Sequence, residues 1–271
     1  MTSQGEALAA FLSRSRSLAV LGGAGVSTGS GIPDYRDRNG DWKPASPIQY
    51  SDFVNNANSR KRYWARSYVG WQRFSKARPN AAHHALAALE ERGKVDTLIT
   101  QNVDRLHHAA GSRRVIELHG DLSKVRCLQC DRSEARSKYQ QCLRYANPGW
   151  HTKVSRYKPD GDAELAADSH HDFTVPNCVE CDGIVKPDVV MFGESVPKDR
   201  VGDAKAVIDR ADAMLVVGSS LMVFSGYRFV RQAAEQNKPI AIVNQGRTRA
   251  DDLASLKIDA DCRSMLSEVS P

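Results

Sequence analysis

Between Leu18 and Arg36 the chain reads Leu-Ala-Val-Leu-Gly-Gly-Ala-Gly-Val-Ser-Thr-Gly-Ser-Gly-Ile-Pro-Asp-Tyr-Arg, an apolar run that breaks into a loop of small residues. That pattern predicts a buried strand feeding a phosphate-binding turn. Glycines at 22, 23 and 25 let backbone approach a diphosphate, and the N–H groups opening the next helical turn face the anion. A dinucleotide site is the first expectation. The match to the hydride-transfer fingerprint G-x-G-x-x-G is imperfect, because its third glycine falls on Thr28, one place before Gly29. Gly31 and Pro33 stop any helix within about two turns, which leaves no place for the long crossover helix of an ordinary dehydrogenase.

The second constraint is cysteine spacing. Cys127-Leu-Gln-Cys130 and Cys178-Val-Glu-Cys181 form two C-x-x-C pairs, and no apolar leader precedes the first strand. Two such pairs predict a tetrahedral four-thiolate zinc site, since the two-residue spacing lets one turn present both sulfurs. A redox C-x-x-C would explain one pair but not both. Cys142 and Cys262 are left over and read as small buried hydrophobes. At 271 residues, 41% hydrophobic and 26% charged, the chain can build one sizeable core, or one core with a small appended module. No apolar run reaches the roughly 18 residues of a membrane span. A net charge of +6, scattered along the sequence, predicts a solvated surface with mild attraction to anions. The expected setting is cytoplasmic, or the mitochondrial matrix for a trimmed precursor.

Around these features the hydrophobic pattern alternates strand and helix. Helix is predicted for Gly5 to Ser15, for Asn80 to Arg92 with Asn80 as N-cap, for Val103 to Ala110, for Asp199 to Arg210 and for Gly226 to Gln236. Strands are predicted for Val95 to Thr100, Val115 to Leu118, Val189 to Phe192, Met214 to Val217 and Ile240 to Val243. Trp42, Tyr63, Trp64, Tyr68, Trp71 and Phe74 suit one or two amphipathic helices in a small module. Asp131 to Asn177 is polar and weakly periodic, and reads as a metal-held excursion with a small core of its own. The expected fold class is α/β, a Rossmann-like doubly wound parallel sheet with an inserted zinc module and a small helical module. The expected domains are 1–45, 78–126 and 183–271 for nucleotide binding, 46–77 for the helical module and 127–182 for the zinc module.

Ligands of open α/β sheets collect at the carboxyl ends of the strands. Gln101, Asn102 and Asp104 follow one predicted strand, His119 and Gly120 a second, Gly218, Ser219 and Ser220 a third, and Asn244, Gln245 and Gly246 a fourth. Singly each would be a cap or a turn residue; together they predict a polar crevice beside the glycine loop. These blocks carry a resemblance. Gly23-Ala-Gly-Val-Ser-Thr-Gly-Ser-Gly-Ile-Pro-Asp-Tyr-Arg36, Thr100-Gln-Asn-Val-Asp-Arg-Leu-His107, Glu117-Leu-His-Gly120, the cysteine pairs, Lys186-Pro-Asp-Val-Val-Met-Phe-Gly-Glu194, Val217-Gly-Ser-Ser220 and Val243-Asn-Gln-Gly246 resemble the sirtuins, NAD-dependent protein-lysine deacylases, in family order. Tyr35, the aromatic segment from Arg62 to Trp71 and the long excursion are most similar to class II members, the branch of a mitochondrial sirtuin with weak deacetylase activity and its bacterial relatives.

The resemblance implies that NAD is a consumed co-substrate whose nicotinamide is displaced by the acyl oxygen of an acylated lysine. It implies Ala24, Ser27 and Arg36 at phosphate or ribose, and Asn102 and Asp104 orienting the ribose and holding the carboxamide. His119 is implied as the general base toward a ribose hydroxyl, a role suited to imidazole. Gly218, Ser219, Asn244 and Gly246 are implied around the adenosine half, with Cys262 near the adenine end. Gly23, Gly25, Thr28, Ile32, Pro33, Asp34, Tyr35, Gln101, Val103, Ser220 and Gln245 complete the implied cofactor set. Val189, Val190, Met191, Phe192, Gly193 and Glu194 are implied as the edge on which an extended acyl-lysine peptide adds as a strand. Four thiolates leave zinc no open position, so its implied role is structural. Tyr63 and Arg66 have the Tyr-x-x-Arg spacing of desuccinylating members, a pair that class II members generally lack; packing or solvent contact is expected for them, and a pocket for longer or branched acyl groups is the class II expectation. A monomer is expected. Mono-ADP-ribosyl transfer to protein from the same NAD site is the alternative activity. A zinc-ribbon nucleic-acid binder is disfavoured, because no basic cluster with interleaved aromatics accompanies the cysteines.

Overall fold

A computed structural model describes residues 1–43, 47–166 and 169–269; the expected boundary at 45 and 46 lies outside the described residues. In chain order the first half holds α1 (Ser3–Arg14), β1 (Leu18–Gly22), α2 (Tyr50–Asn55), α3 (Ala57–Phe74), α4 (Ala81–Glu91), β2 (Val95–Thr100), α5 (Leu106–Ala109), β3 (Val115–Glu117) and β4 (Gly120–Cys127). There follow β5 (Ser133–Ala135), α6 (Arg136–Ala146), β6 (Val154–Tyr157), β7 (Ala163–Leu165), β8 (Val185–Val189), α7 (Lys198–Arg210), β9 (Ala213–Val217), α8 (Phe224–Glu235), β10 (Ile240–Val243), β11 (Leu256–Ile258) and α9 (Cys262–Val269). The chain divides into two compact units, Met1–Lys43 with Arg78–Leu118 and Val196–Pro271, and Pro44–Ala77 with His119–Ser195.

The first unit is a parallel sheet in the order β11-β10-β9-β1-β2-β3. The four central strands, β10, β9, β1 and β2, are buried on both faces, which is why they read as largely apolar runs. Period-two alternation sorts them. Leu18 and Val20 pack with Leu8, Leu86 and Leu266 from α1, α4 and α9, whereas Ala19 and Leu21 pack with Val207, Ile208, Phe229 and Val230 from α7 and α8. Helices therefore cover both faces, as the expected doubly wound class requires. Strand β11 and helix α9 add an edge and a cover that the sequence pattern did not reveal. The helix expected over Val103 to Ala110 is shorter. Arg105 sits at φ 60 in the left-handed region, and the Asp104 carboxylate accepts the Leu106 N–H at 2.9 Å, so α5 starts only at Leu106.

In the second unit β4 lies between β5 and β8, all antiparallel, and β6 and β7 form a separate hairpin. The excursion between the cysteine pairs is better packed than expected. Tyr139, Leu143 and Phe173 join Phe53, Trp64, Tyr68, Val125 and Val185 in one buried cluster. Aromatics spaced as widely as Tyr139, Trp150 and Phe173 leave no periodic signal, yet they pack into this cluster. Arg136 is fully buried here, with its guanidinium carbon 5.2 and 5.1 Å from the Trp64 and Trp71 ring centres and Nη1 donating to Gln140 Oε1 at 2.6 Å. Burial pulls its pKa down to about 10, so the guanidinium stays charged at neutral pH and is stabilised by the rings.

The strand expected over Val189 to Phe192 is also different: β8 ends at Val189. The Glu194 carboxylate accepts the Met191 N–H at 2.8 Å and the Lys186 ammonium at 2.9 Å, and Gly193 at φ +81 closes the turn. Phe192 keeps an isolated bridge to Gln49, and its carbonyl accepts the Tyr50 N–H at 2.7 Å. Truncating a fully buried ring on the first unit tests the packing account. Phe229→Ala is expected to lower unfolding stability by about 3–5 kcal/mol, read from the urea midpoint.

Candidate functional site

In an open parallel sheet the ligand crevice forms where strand order reverses. Here the chain runs β1-β2-β3 toward one edge and β9-β10-β11 toward the other, so the reversal lies between β1 and β9. The loops leaving those two strands cross in direct backbone contact. Gly23 N–H donates to Val217 O at 3.0 Å and Gly25 N–H to Gly218 O at 2.8 Å. A Cβ at Gly25 would stand 2.9 Å from Gly218 Cα, and one at Gly218, itself at φ +59, 2.5 Å from the Val26 nitrogen. These glycines are needed for the loops to cross at all, before any ligand is considered. Past the crossing, two single-turn 3-10 helices, Ala24–Val26 and Thr28–Ser30, end at Gly31 in the left-handed region, so no long helix follows the loop.

Outside the crossing lies a cavity of about 440 Å³ lined by Gly25, Thr28, Ile32, Pro33, Asp34, Gly218, Asn244, Gln245 and Cys262 among the expected cofactor residues, within the range of about 300–1,000 Å³ usual for ligand sites. Gly31, Lys43, Ala260 and Asp261 also line it and were not among the cofactor residues expected from sequence. Lys43 is held by Asp34 at 2.5 Å. Ala260 and Asp261 follow β11, whose three residues, Leu-Lys-Ile, are too few to give a strand signal; had it been recognised, the strand-end rule would have found them. Cys262 is buried, its Sγ 3.5 Å from Gly25 O, and desolvation pushes its thiol up to about 12, so it is a neutral wall residue.

Beneath the loop a second group of expected residues is drawn together. Ser27 Oγ donates to Asp104 Oδ2 at 2.6 Å and accepts from Asn102 Nδ2 at 3.0 Å, and Asn102 Nδ2 also reaches Gly23 O at 3.0 Å. Burial, more than any other influence, raises the Asp104 pKa, while the Ser27 and Leu106 hydrogen bonds hold it down. Gln101 Nε2 donates to Ser219 Oγ at 2.8 Å, tying the ends of β2 and β9. Asn80, the N-cap of α4, donates from Nδ2 to Val26 O at 2.8 Å and Ser30 Oγ at 2.9 Å, so the helix also anchors the glycine loop. Arg36 does not line the cavity; Nη1 donates to Gly40 O at 2.6 Å and the guanidinium lies 4.0 Å from the Trp42 ring centre. Gly23, Ala24, Tyr35, Val103, Ser220 and Gly246 are likewise outside the lining. His119 and Val189 to Glu194 belong to the second unit, where Val190 N–H donates to His119 O at 2.8 Å.

From sequence, His107 and His108 are expected on the helix after Asp104 with no catalytic role, and His83 carries no expectation. His83 and His107 lie with ring centres 4.8 Å apart, and His83 Nε2 is 3.4 Å from Ser27 Oγ. Both His107 nitrogens are buried without a hydrogen-bond partner. Burial, assisted by His84, pushes His83 down to about 4, and burial with His83 and His108 holds His107 well below its ordinary value. The only sequence signal was a polar residue inside a helical apolar face. Both imidazoles are neutral in the folded chain and protonate on unfolding near 6.5, so their stabilising contribution is complete above that pH and is lost as pH falls from about 6.5 to about 4. His107→Leu is expected to flatten this acid-side loss of the urea midpoint without lowering stability at neutral pH; an unchanged slope would contradict it.

In the second unit the four cysteine sulfurs lie within 4.8 Å of one another, with Cys127 to Cys181 at 3.5 Å and Cys130 to Cys178 at 3.7 Å. A tetrahedron with Zn–S bonds of about 2.3 Å has edges of about 3.8 Å, so the donor set fits one zinc ion. Tyr63 packs edge-on against Phe53 and Trp64, and Arg66 is clamped by both Asp162 oxygens at 2.8 and 2.5 Å. Their partners are internal to the second unit. Cys127→Ser is expected to remove about one zinc per chain by elemental analysis and to lower the melting midpoint.

Residues 23–225 match the family described as the Sir2 family. An NAD-dependent protein deacetylase of Bordetella pertussis is 56% identical over 266 residues, covering 98% of this chain and 97% of the relative. Human mitochondrial sirtuin-4, an NAD-dependent protein lipoamidase, is 48% identical over 264 residues, covering 96% and 84%. Among solved structures, a Sir2 complex with a p53 peptide and NAD+ superposes with TM-score 0.80 at 32% identity, covering 99% of this chain and 97% of that one.

Proposed function

This chain belongs to the Sir2 family, and on that premise we propose that it is an NAD-dependent protein-lysine deacylase that converts acyl-lysine, NAD and water into lysine, nicotinamide and O-acyl-ADP-ribose. The observation that carries the reading is the cavity at the reversal of strand order, walled by the glycine loop and by Asn244 and Gln245. NAD supplies a ribose carbon whose bond to nicotinamide breaks as the acyl oxygen of the lysine attaches. The protein's residues must hold that ribose and favour the departure of the nicotinamide.

Gly25, Gly218, Asn244 and Gln245 border the adenosine half, and neutral Cys262 closes its end without repelling an adenine. Ser27, Asn102 and Asp104 act as one unit. The Asp104 carboxyl, held by Ser27 Oγ and the Leu106 N–H, presents its oxygens as fixed acceptors, which suits the N–H groups of a carboxamide. Fixing these groups beforehand removes reorganisation from the reacting step. His119 takes the ribose hydroxyl proton; it follows directly on Leu118, whose N–H is fixed by Thr100 O at 2.9 Å. The acyl-lysine peptide is received along residues 189–194, and the cysteine-held zinc stabilises the fold without entering the chemistry. The same proposal takes the enzyme as a cytoplasmic monomer.

The 48% identity to a lipoamidase favours a substrate range that extends from acetyl to longer acyl groups. Mass spectrometry of reactions with acetyl- to lipoyl-lysine peptides is expected to show nicotinamide and O-acyl-ADP-ribose in equal amounts. His119→Ala is expected to reduce their formation at least about 100-fold with the melting midpoint unchanged. NAD label retained on protein would instead support ADP-ribosyl transfer, and full activity of the variant would overturn the assigned base.

A further inference from the structure

Residues 218–249 of the first unit carry a cluster of arginines and aromatic rings that the deacylase reading leaves unused. Phe224 opens α8 with about half its surface exposed. The Arg228 guanidinium carbon lies 5.2 Å from its ring centre, and that of Arg249 lies 6.0 Å from Phe224 and 4.3 Å from Tyr227. The Arg249 main chain is fixed as well, its N–H donating to Ser220 O at 2.9 Å, in the loop that follows the cavity residue Gly218. Arg247 N–H donates to Arg38 O at 2.8 Å, which brings two further exposed arginines to the same loop cluster. Among the described residues, no ion pair involves Arg38, Arg228, Arg247 or Arg249, and Arg228 Nε is buried without an acceptor.

Guanidinium groups laid on rings lose little further freedom when they bind, and their forked N–H groups match carboxylates. The same stacking covers the aromatic faces that a nucleobase would need, so the cluster is better suited to carboxylates than to single-stranded nucleic acid. We propose that this cluster is a docking surface for acidic side chains of the protein substrate, set beside the cofactor loop so that acyl-lysines in glutamate- and aspartate-rich surroundings are favoured. The inference rests on the deacylase reading for its consequence in turnover, but not for its binding.

Two measurements separate the two. The first is anisotropy of a labelled peptide carrying several glutamates and no acyl-lysine, titrated with the full chain. Binding is expected to weaken as salt rises and to fall about tenfold in Arg249→Glu, the loss of one charge-assisted contact, with a smaller loss in Arg228→Gln. The second is nicotinamide release from matched acetyl-lysine peptides flanked by glutamate or by glutamine. The glutamate peptide is expected to show a KM about tenfold lower at equal kcat, and Arg249→Glu to abolish that preference while leaving the glutamine peptide unchanged. Equal binding of both peptides by the unaltered chain, or undiminished binding by both variants, would overturn the proposal. A single-stranded oligonucleotide that outcompetes the peptide would overturn it in favour of nucleic acid. Failure of turnover with retained, Arg249-dependent binding would refute the deacylase reading and leave the docking surface standing.

Discussion

Two loops crossing without side chains between them set what the first unit can do. Gly23 and Gly25, leaving β1, bond to Val217 and Gly218 at the end of β9, and any Cβ at Gly23, Gly25 or Gly218 would lie 2.5–2.9 Å from main chain or Ser219 Cβ. Only glycine meets that condition, and it is the most costly residue to order. The cost is offset by β1 itself, five fully buried residues between two parallel neighbours. The cavity wall follows from the crossing, since Gly25, Gly218 and Cys262 come together only there.

Behind the crossing the molecule buries polar groups rather than more hydrocarbon. Ser27, Asn102 and Asp104 satisfy one another, and Asn80 joins a helix N-terminus to the same loop. A network of this kind rigidifies when complete and is expensive when broken. The His83 and His107 pair is the exception within it. Neutral, desolvated and in the case of His107 unpartnered, it makes the support of the site sensitive to acid without entering the chemistry.

The second unit solves a different problem. Its sheets are small, so aromatic rings gathered from α3, α6 and Phe173, together with four convergent cysteines, provide the stability that a wide sheet provides elsewhere. Arg136 is buried beside these rings and stays a cation, stabilised by the faces of Trp64 and Trp71.

Strong local signals were legible in the chain: the apolar strands, the Asn80 cap, the helix-stopping Gly31 and Pro33, the paired cysteines and the strand-end polar residues. Each is determined by chemistry within a few neighbours, either backbone freedom, a missing donor or a metal's demand for thiolates. Weaker or longer-range features were not. Strand β11 is three residues long and exists because β10 offers it a ladder; α5 shrank because Arg105 and Asp104 turn the chain; residues 190–194 left the strand because Glu194 recaptures Met191 and Lys186. The sequence by itself determined the parallel α/β class and the polar residues that follow four of its strands. Only the tertiary structure decided which of those residues wall the cavity, which lie beneath it, and that Asp261 and Lys43 join them, because these outcomes depend on contacts between segments as far apart as Gly25 and Cys262, 237 residues along the chain.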